Sequence, residues 1–350
     1  MCTELTQKTL DNRLEEKMSY KPTIYIMGPR PGLKESIKAI DDSLDVVFIK
    51  TDWREAPNFT DVDVEKIEIV VSSHHSFGAI YEHCPNLRWF HSLTAGNERM
   101  FRYIGTMDVK PECFYTRSCA VVSEFVSQYV ITQILAHEKC MFQLYQNHKD
   151  KRWTRTNLSS RCTSDVTVCI LGLGSIGMKA AKLCKTFDMK VSGITNAPVK
   201  KEDRDISVDH YGLLEDLEDL LSTCDYIVNL LPSTNLTVGL LNGHVLSACK
   251  KKPVFINVGR GDIINDQDII HALRANWISK AILDVSKIEP IPENSILWNE
   301  PNVFITPHVA FGPGTSSSAY LKQAEEYLIN YKRYINNQEL NNTVPWSRGY

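Results

Sequence analysis

The chain has 350 residues, of which 43% are apolar and 23% charged, and its formal net charge is -3. These are the values of an ordinary globular protein with room for two domains. The slightly negative charge argues against nucleic-acid binding, which needs a basic surface, and gives no reason to expect a membrane surface as a partner.

The N-terminal residues Met1–Lys21 carry charges and lack the apolar segment of a signal peptide. No stretch reaches the ~20 apolar residues that are needed to span a bilayer. The ten cysteines form no CxxC pair and several lie in apolar runs, so buried thiols are favoured over disulfides or a metal site. The sequence therefore predicts a cytoplasmic protein without a bound metal ion.

The first third of the chain alternates short apolar runs with helix-compatible segments, a pattern typical of a parallel sheet with helical crossovers. After it, apolar residues at three- and four-residue spacing predict one long helix over Val121–Gln146, which either bridges two domains or packs as an ordinary core helix. The strand candidates of this region are Thr23–Met27, Val46–Ile49, Ile67–Val71, Leu87–Leu93 and Cys113–Arg117.

A second and clearer alternation of strands and helices follows. Six strands with intervening helices are typical of a doubly wound sheet. A final helix, Ser316–Asn336, is expected to return to the first domain. The strand candidates are Val166–Leu171, Lys190–Ile194, Tyr226–Leu231, Val254–Val258, Ala281–Val285 and Val303–Thr306, and the helix candidates are Ile176–Phe187, Leu213–Cys224 and Asp266–Arg274.

A glycine-rich turn joins the first of these strands to a helix. Gly172 permits a tight turn, Gly174 lets the backbone approach a pyrophosphate, and Gly177 lets the helix pack closely on the sheet. Amide groups at the helix N-terminus would face the phosphates. The turn therefore predicts a dinucleotide site, with a purely structural strand–helix turn as the alternative.

The next strand ends without the carboxylate that commonly binds the ribose 2′-hydroxyl of such a cofactor. Asn196 lies near its end, and the basic residues Lys200, Lys201 and Arg204 follow, mixed with two acidic ones. Cations in place of a carboxylate suit a 2′-phosphate, so NADP(H) is favoured over NAD(H). The alternative interpretation is an ordinary solvated loop.

Three polar residues lie at or just beyond the ends of the later strands, where open α/β sheets bind ligands. Arg260 can bind a carboxylate and polarise a carbonyl, His308 can donate a proton, and Glu289 can orient the imidazole and favour its charged form. Separately, each has an ordinary explanation, as a surface arginine, a solvated glutamate or a core histidine. Together they predict hydride transfer to a 2-oxo acid.

The ordered set of motifs resembles the D-2-hydroxyacid dehydrogenase family over about residues 65–312. The resemblance implies Arg260, Glu289 and His308 as catalytic residues, and backbone amides around Ala95 and Gly96 as the holders of the substrate carboxylate. The motifs that carry it are Ser92–Gly96, Leu231–Thr234, Val258–Asp262, Leu283–Val285, Glu289-Pro290, Leu297-Trp298, Pro301–Val303 and Thr306–His308. The cofactor contacts expected from the turn and the resemblance are Gly172, Gly174, Ser175, Ile176, Gly177, Asn196, Lys200, Leu231, Pro232, Val258, Gly259 and Asp284.

The predicted fold is α/β: a Rossmann-type doubly wound dinucleotide domain at 119–313, and a smaller flavodoxin-like substrate domain at 1–118 plus 314–350. The chain looks most like the glyoxylate/hydroxypyruvate reductase branch, which implies a small 2-oxo acid substrate and a homodimer. It departs from the family at Gly259, where alanine or serine is frequent, and in the loop Ser72–His75. The alternative function is a dinucleotide-sensing scaffold like the C-terminal-binding-protein corepressors, with little turnover.

Overall fold

The computed structural model describes residues 21–29, 31–52, 57–107, 111–312 and 316–348. The chain divides into two compact units, Met1–Val121 with Thr315–Tyr350, and Val122–Gly314. These bounds lie within a few residues of the predicted ones, and the roles given to the two domains stay predictions. The signal-peptide interpretation of the first twenty residues and the predicted boundary at 313/314 fall outside the described residues.

The first unit contains a five-stranded parallel sheet in the order β2-β1-β3-β4-β5. This is the strand order of flavodoxin-like folds, in which connections reverse direction beside the first strand. The order agrees with the predicted flavodoxin-like domain. The strands are β1 (Ile24–Gly28), β2 (Val46–Lys50), β3 (Ile69–Ser72), β4 (Trp89–Ser92) and β5 (Phe114–Arg117).

Both faces of this sheet are covered by apolar side chains from helices, as an all-parallel sheet requires. On one face, Trp89 stacks on Tyr327 and Tyr334, with ring centroids 5.1 and 5.3 Å apart. On the other face, Phe90 and Tyr115 stack 5.5 Å apart and pack with Phe77. The helices are α1 (Gly32–Ile40), α2 (Phe77–His83), α3 (Glu98–Ile104) and, near the C-terminus, α9 (Ser317–Ile335).

The second unit contains a seven-stranded parallel sheet in the order β12-β11-β10-β9-β6-β7-β8. The connections run outward in opposite directions from β6 and β9, so a ligand crevice is expected above these two strands. The predicted doubly wound fold is confirmed, with one more strand than the sequence indicates. The strands are β6 (Thr167–Leu171), β7 (Lys190–Ile194), β8 (His210–Gly212), β9 (Tyr226–Asn229), β10 (Val254–Asn257), β11 (Lys280–Leu283) and β12 (Val303–Ile305).

The prediction of one continuous helix over Val121–Gln146 is wrong. The first helix, α4 (Ala120–Glu138), ends where Cys140 adopts a left-handed backbone with φ of 52°, and α5 (Met141–Lys149) begins directly after it. The buried carboxylate of Glu138 is bound by Arg161 and by the Tyr226 hydroxyl. These tertiary contacts fix the last turn of α4, and apolar spacing alone does not reveal them.

Three further helices, α6 (Ser175–Thr186), α7 (Leu217–Thr223) and α8 (Asp266–Arg274), lie between the strands of the second unit. Its core is formed by apolar side chains of strands β6, β9, β10 and β11 with those of α7 and α8. The nine cysteines within the described ranges are free thiols. In the part of the chain that the structure describes, no helix combines the length and the apolar character needed to cross a membrane.

Candidate active site

The glycine-rich turn follows β6 directly and has the geometry that its sequence predicts. Gly172 has φ of +103°, a conformation that strains any residue with a side chain. A Cβ atom at Gly177 would lie 2.1 Å from the carbonyl oxygen of Gly172, so only glycine lets α6 pack this closely. At Gly174, by contrast, a Cβ atom would meet no protein atom within 4 Å. The turn is therefore closely packed at Gly172 and Gly177, whereas Gly174 faces open space.

This open position fits a bound dinucleotide. Helix α6 begins at Ser175, and the first amide groups of an α-helix have no acceptor within the helix. Such amides, together with the helix dipole, favour a phosphate group at the N-terminus. Ser175, Ile176 and Gly177 are the residues whose amides would hold a pyrophosphate here.

The loop after β7 contains the residues expected to meet the far end of such a cofactor. Asn196 is exposed just beyond the end of the strand, where a carboxylate would bind a ribose hydroxyl. Lys200 and Lys201 are exposed as well, whereas the Arg204 guanidinium lies over the Tyr211 ring, 5.5 Å from its centroid. Of the three predicted cations, Arg204 thus has a structural contact with the neighbouring strand β8.

Two buried asparagines join the ends of β9 and β10. The Asn229 side-chain amide donates to Asn257 Oδ1 at 2.8 Å, and Asn257 Nδ2 donates to the carbonyl oxygen of Arg260 at 3.1 Å. Asn229 Oδ1 accepts from the Leu231 amide, and Asn257 Oδ1 accepts from the Gly259 amide. The pair therefore fixes the backbone of both loops that carry predicted site residues.

Close packing explains the glycines on both sides of Arg260. A Cβ atom at Gly259 would lie 2.8 Å from Asn229 Nδ2 and 2.9 Å from the Leu231 oxygen. A Cβ atom at Gly261 would lie 2.0 Å from the backbone of Ser286. Gly259, where the family resemblance leads to the expectation of alanine or serine, thus lies where the β9 and β10 loops touch.

Glu289 and His308 come together as the sequence predicts. His308 Nδ1 donates to Glu289 Oε2 at 2.8 Å, and Glu289 Oε1 accepts from the Ser286 amide at 3.1 Å. The loops after β11 and β12 place the two side chains side by side, because those strands are neighbours in the sheet. Both carboxylate oxygens are occupied, so the imidazole is held in one orientation.

Electrostatic interactions favour the charged forms of both groups. The hydrogen bond to Glu289 raises the pKa of His308 above its ordinary value; burial opposes this, the charges of Glu289 and Asp284 add to it, and Arg260 lowers it. Burial alone would raise the pKa of Glu289, but the bond and charge of His308, the Ser286 amide and Arg260 lower it on balance. The charge of Arg260 thus favours the ionised carboxylate and opposes the charged imidazole.

Asp284, expected beside the nicotinamide, is 2% exposed at the end of β11. Its carboxylate accepts hydrogen bonds from Thr306 Oγ1 at 2.6 Å and from the amides of Val309 and Ala310, both at 2.8 Å. The side chain thus holds the loop that carries His308. Its contact with a cofactor stays a prediction.

Ala95 and Gly96 belong to the first unit, in the loop after β4. The Arg117 guanidinium donates to the Ala95 carbonyl oxygen at 2.7 Å, and Thr94 Oγ1 donates to the Gly96 oxygen at 3.4 Å. These bonds turn the two carbonyl groups toward the protein. The neighbouring loop after β3 carries His74 and His75, whose rings lie 4.1 Å apart.

Sequence reasoning assigned no role to four polar residues that organise the site: Asn229, Asn257, Thr306 and Tyr129. The two asparagines are conspicuous in hindsight, because each ends an otherwise apolar strand. Thr306 stood at the end of a predicted strand and Tyr129 within the apolar pattern of a helix. Neither position signals that the hydroxyl groups of the two residues are 2.6 Å apart.

Comparison with known proteins shows which family and which solved structures the chain is similar to. Residues 131–310 match the family model described as "D-isomer specific 2-hydroxyacid dehydrogenase, NAD binding domain". A glyoxylate reductase of Pyrococcus horikoshii is 25% identical over 325 residues, which cover 89% of this chain and 93% of that protein. A shorter match, 37% identical over 146 residues, covers 41% of this chain and 46% of an uncharacterized protein of Corynebacterium melassecola.

Solved structures are similar over nearly the whole chain. A D-isomer specific 2-hydroxyacid dehydrogenase from Xanthobacter autotrophicus Py2, solved with NADPH and MES, has a TM-score of 0.80 at 26% identity and covers 95% of this chain and 100% of its own. An NADPH-dependent glyoxylate/hydroxypyruvate reductase from Sinorhizobium meliloti, solved with NADP and sulfate, has a TM-score of 0.78 at 25% identity with the same coverage. The fold and the matches define an oxidoreductase with an NAD-binding type of domain. The chain belongs to the D-isomer-specific 2-hydroxyacid dehydrogenase family.

Proposed function

We propose that this chain reduces a small 2-oxo acid, such as glyoxylate or hydroxypyruvate, to the D-2-hydroxy acid. The observation that carries the proposal is the 2.8 Å hydrogen bond between His308 Nδ1 and Glu289 Oε2, which orients the imidazole and favours its protonated form. The names of the similar glyoxylate and hydroxypyruvate reductases support the choice of substrate.

The proposed mechanism assigns one task to each side chain. Because Nδ1 of His308 is bound to Glu289, Nε2 is the nitrogen that delivers a proton to the carbonyl oxygen. Arg260 binds the substrate carboxylate and polarises the adjacent carbonyl, which stabilises the negative charge that develops there. A nicotinamide dinucleotide, when bound at the glycine-rich turn, would supply the hydride.

We also propose that NADP(H) is preferred over NAD(H). Asn196 leaves the end of β7 without a carboxylate to repel a 2′-phosphate, and Lys200 and Lys201 are exposed nearby. The two solved relatives named above were crystallised with NADPH or NADP, which agrees with this preference.

Contacts from Leu231, Pro232 and Val258 to the cofactor are proposed on the family resemblance. Five further contacts, from Gly172, Gly174, Ser175, Ile176 and Gly177, follow from the turn.

A homodimer and a cytosolic location complete the proposal. Helix α5 exposes Met141, Leu144 and Tyr145 at helical spacing on one face, and Trp153, shortly after it, is 97% exposed. Grouped large apolar side chains are typical of a protein–protein surface. The nine free cysteines of the described ranges support a reducing compartment.

The direct test is a panel of 2-oxo acids assayed by absorbance at the cofactor's reduced-form band, with NADPH and with NADH. We expect turnover of glyoxylate and hydroxypyruvate, and we expect His308→Ala to lower kcat by roughly 10²–10⁴-fold. Dinucleotide binding without turnover of any acid would support the scaffold alternative instead. An unaffected His308→Ala variant would remove the proton-donor assignment while leaving the enzyme class intact.

A further inference from the structure

The backbone of His308 is left-handed, with φ of 54°. Residues with a side chain adopt this conformation uncommonly, so the groups that hold His308 in it matter. The His308 amide donates to the main-chain oxygens of Asp284, at 2.8 Å, and of Thr306, at 3.0 Å. These bonds fix the chain as it enters His308, and a different group fixes it on the other side.

That group is the buried carboxylate of Asp284. Its Oδ1 atom accepts from the Val309 amide and from Thr306 Oγ1, and its Oδ2 atom accepts from the Ala310 amide. The carboxylate therefore binds Thr306, which precedes the Pro307-His308 pair, and Val309 and Ala310, which follow it. The direction of the imidazole depends on how firmly this carboxylate is held.

Tyr129 of helix α4 extends the same hydrogen-bond chain. Its hydroxyl lies 2.6 Å from Thr306 Oγ1, which lies 2.6 Å from Asp284 Oδ1. A threonine hydroxyl has one hydrogen, and the carboxylate can only accept, so Thr306 donates to Asp284 and Tyr129 donates to Thr306. Burial raises the pKa of Tyr129 to about 12, so the phenol keeps its hydrogen at neutral pH.

We propose that Tyr129 and Thr306 are positioning residues for the proposed proton donor, acting through Asp284 on the backbone of His308. The inference rests on the proposed function. The hydrogen bonds from Tyr129 to Thr306 and from Thr306 to Asp284 fix the position of the carboxylate. The carboxylate in turn fixes the amides of Val309 and Ala310. These amides hold the backbone of His308 in the conformation that directs Nδ1 toward Glu289. Without the Thr306 hydroxyl, the imidazole is still present but its orientation is less well fixed.

The test compares variants that remove or keep one hydroxyl group. Thr306→Val is nearly isosteric and removes the donor to Asp284, whereas Thr306→Ser keeps it. Because misplacement of a catalytic group by about 1 Å can cost about 100-fold in rate, we expect Thr306→Val to lower kcat by about 10- to 100-fold, with KM changed less than about threefold. Thr306→Ser should recover kcat to within about threefold of the wild type.

Tyr129→Phe leaves the Thr306–Asp284 bond in place, so a smaller loss is expected, about three- to tenfold in kcat. The matched control is Thr132→Val, because Thr132 is exposed on the same helix, where its hydroxyl donates to the main-chain oxygen of Gln128, and it should leave kcat unchanged. In Thr306→Val and Tyr129→Phe, the bond from His308 to Glu289 should loosen, so the alkaline limb of the kcat/KM–pH profile should move to lower pH.

Two outcomes would overturn the inference. In the first, Thr306→Val and Tyr129→Phe have a lower melting temperature, but their kcat and the alkaline limb of their kcat/KM–pH profile equal those of the wild type. This result would show that the two hydroxyl groups contribute to stability alone. The other applies if the wild type reduces no 2-oxo acid, so that the proposed function itself fails. In that case NMR titration of the His308 ring is the readout, and a titration midpoint in Thr306→Val equal to that of the wild type would contradict the positioning role.

Discussion

The His308–Glu289 pair determines the pH range over which the proposed proton donor is charged. Reduction needs protonated His308, and its pKa is raised above the ordinary 6.5, so activity persists above that pH and falls as the pH rises through the folded-state pKa. The same pair stabilises the fold. The His308 contribution is complete below 6.5, and the Glu289 contribution is complete above its ordinary 4.5, so both are fully present between these values.

Glu289→Gln tests this coupling. The substitution removes the largest cause of the raised pKa of His308, so the alkaline limb of kcat/KM should shift to lower pH and activity at neutral pH should fall. The pH profile between about 5 and 9 provides the measurement. Glu293→Gln is the matched control, because Glu293 is an exposed glutamate in the same loop. If the alkaline limb of the kcat/KM–pH profile is identical in Glu289→Gln and the wild type, the hydrogen bond to Glu289 does not determine the pKa of His308.

At the residue level, the side chains that carry the chemistry were predictable, whereas the hydrogen bonds that position their loops were not. Arg260, Glu289 and His308 stood out because their types suit proton transfer and carboxylate binding at strand ends. The Asn229–Asn257 bond joins residues 28 positions apart, and nothing in either local sequence pairs them. Such long-range hydrogen bonds depend on strand order, which a single sequence does not encode legibly.

At the level of elements, apolar runs located the strands because parallel strands are buried on both faces. The one omission in the described ranges is β8, His210–Gly212, which has three residues, an exposed histidine and a glycine. Its place at the sheet edge gives it no apolar run. The break at Cys140 was missed for a related reason, since burial of Glu138 by Arg161 is a tertiary event.

Gly174→Ala separates the two functions of the glycine-rich turn. Gly174 has φ of -77°, which alanine adopts readily, and a Cβ atom there would touch no protein atom within 4 Å. Folding should therefore be unaffected, while the methyl group would occupy the space proposed for the pyrophosphate. We expect a melting temperature like that of the wild type and a dinucleotide Kd raised about tenfold or more, by titration calorimetry.

Gly177→Ala is the contrasting variant, because its Cβ atom would lie 2.1 Å from the Gly172 oxygen and should destabilise the fold itself. Unchanged dinucleotide affinity in Gly174→Ala would mean that the cofactor does not approach this turn.

The loop after β7 should decide between the two nicotinamide dinucleotides. A double variant, Lys200→Ala with Lys201→Ala, removes two exposed cations and should raise the Kd for NADPH by about tenfold while changing that for NADH little. Arg204→Ala is a useful comparison, since that guanidinium packs over Tyr211 and should affect both cofactors alike. Equal losses for NADPH and NADH in the lysine variant would contradict a 2′-phosphate site.

For the whole molecule, composition and alternation of strands and helices were enough to predict two α/β units. No strand order was predicted, but the orders observed are those of the two predicted fold types, flavodoxin-like and doubly wound. Which 2-oxo acid is the substrate was not predicted, because such specificity would depend on small loops. Their side chains, such as His74 and His75, follow no pattern shared with the sheet that carries them.

Trp153→Glu tests the proposed dimer. A nearly fully exposed tryptophan shortly after the exposed apolar face of α5 is expected to be buried between two copies of the chain, and a carboxylate there would be desolvated without a partner. Analytical ultracentrifugation should give the mass of two chains for the wild type and of one for the variant. Ile206→Glu, at a residue 95% exposed on the same unit, is the control that should stay dimeric. A wild type with the mass of one chain at micromolar concentration would refute the dimer.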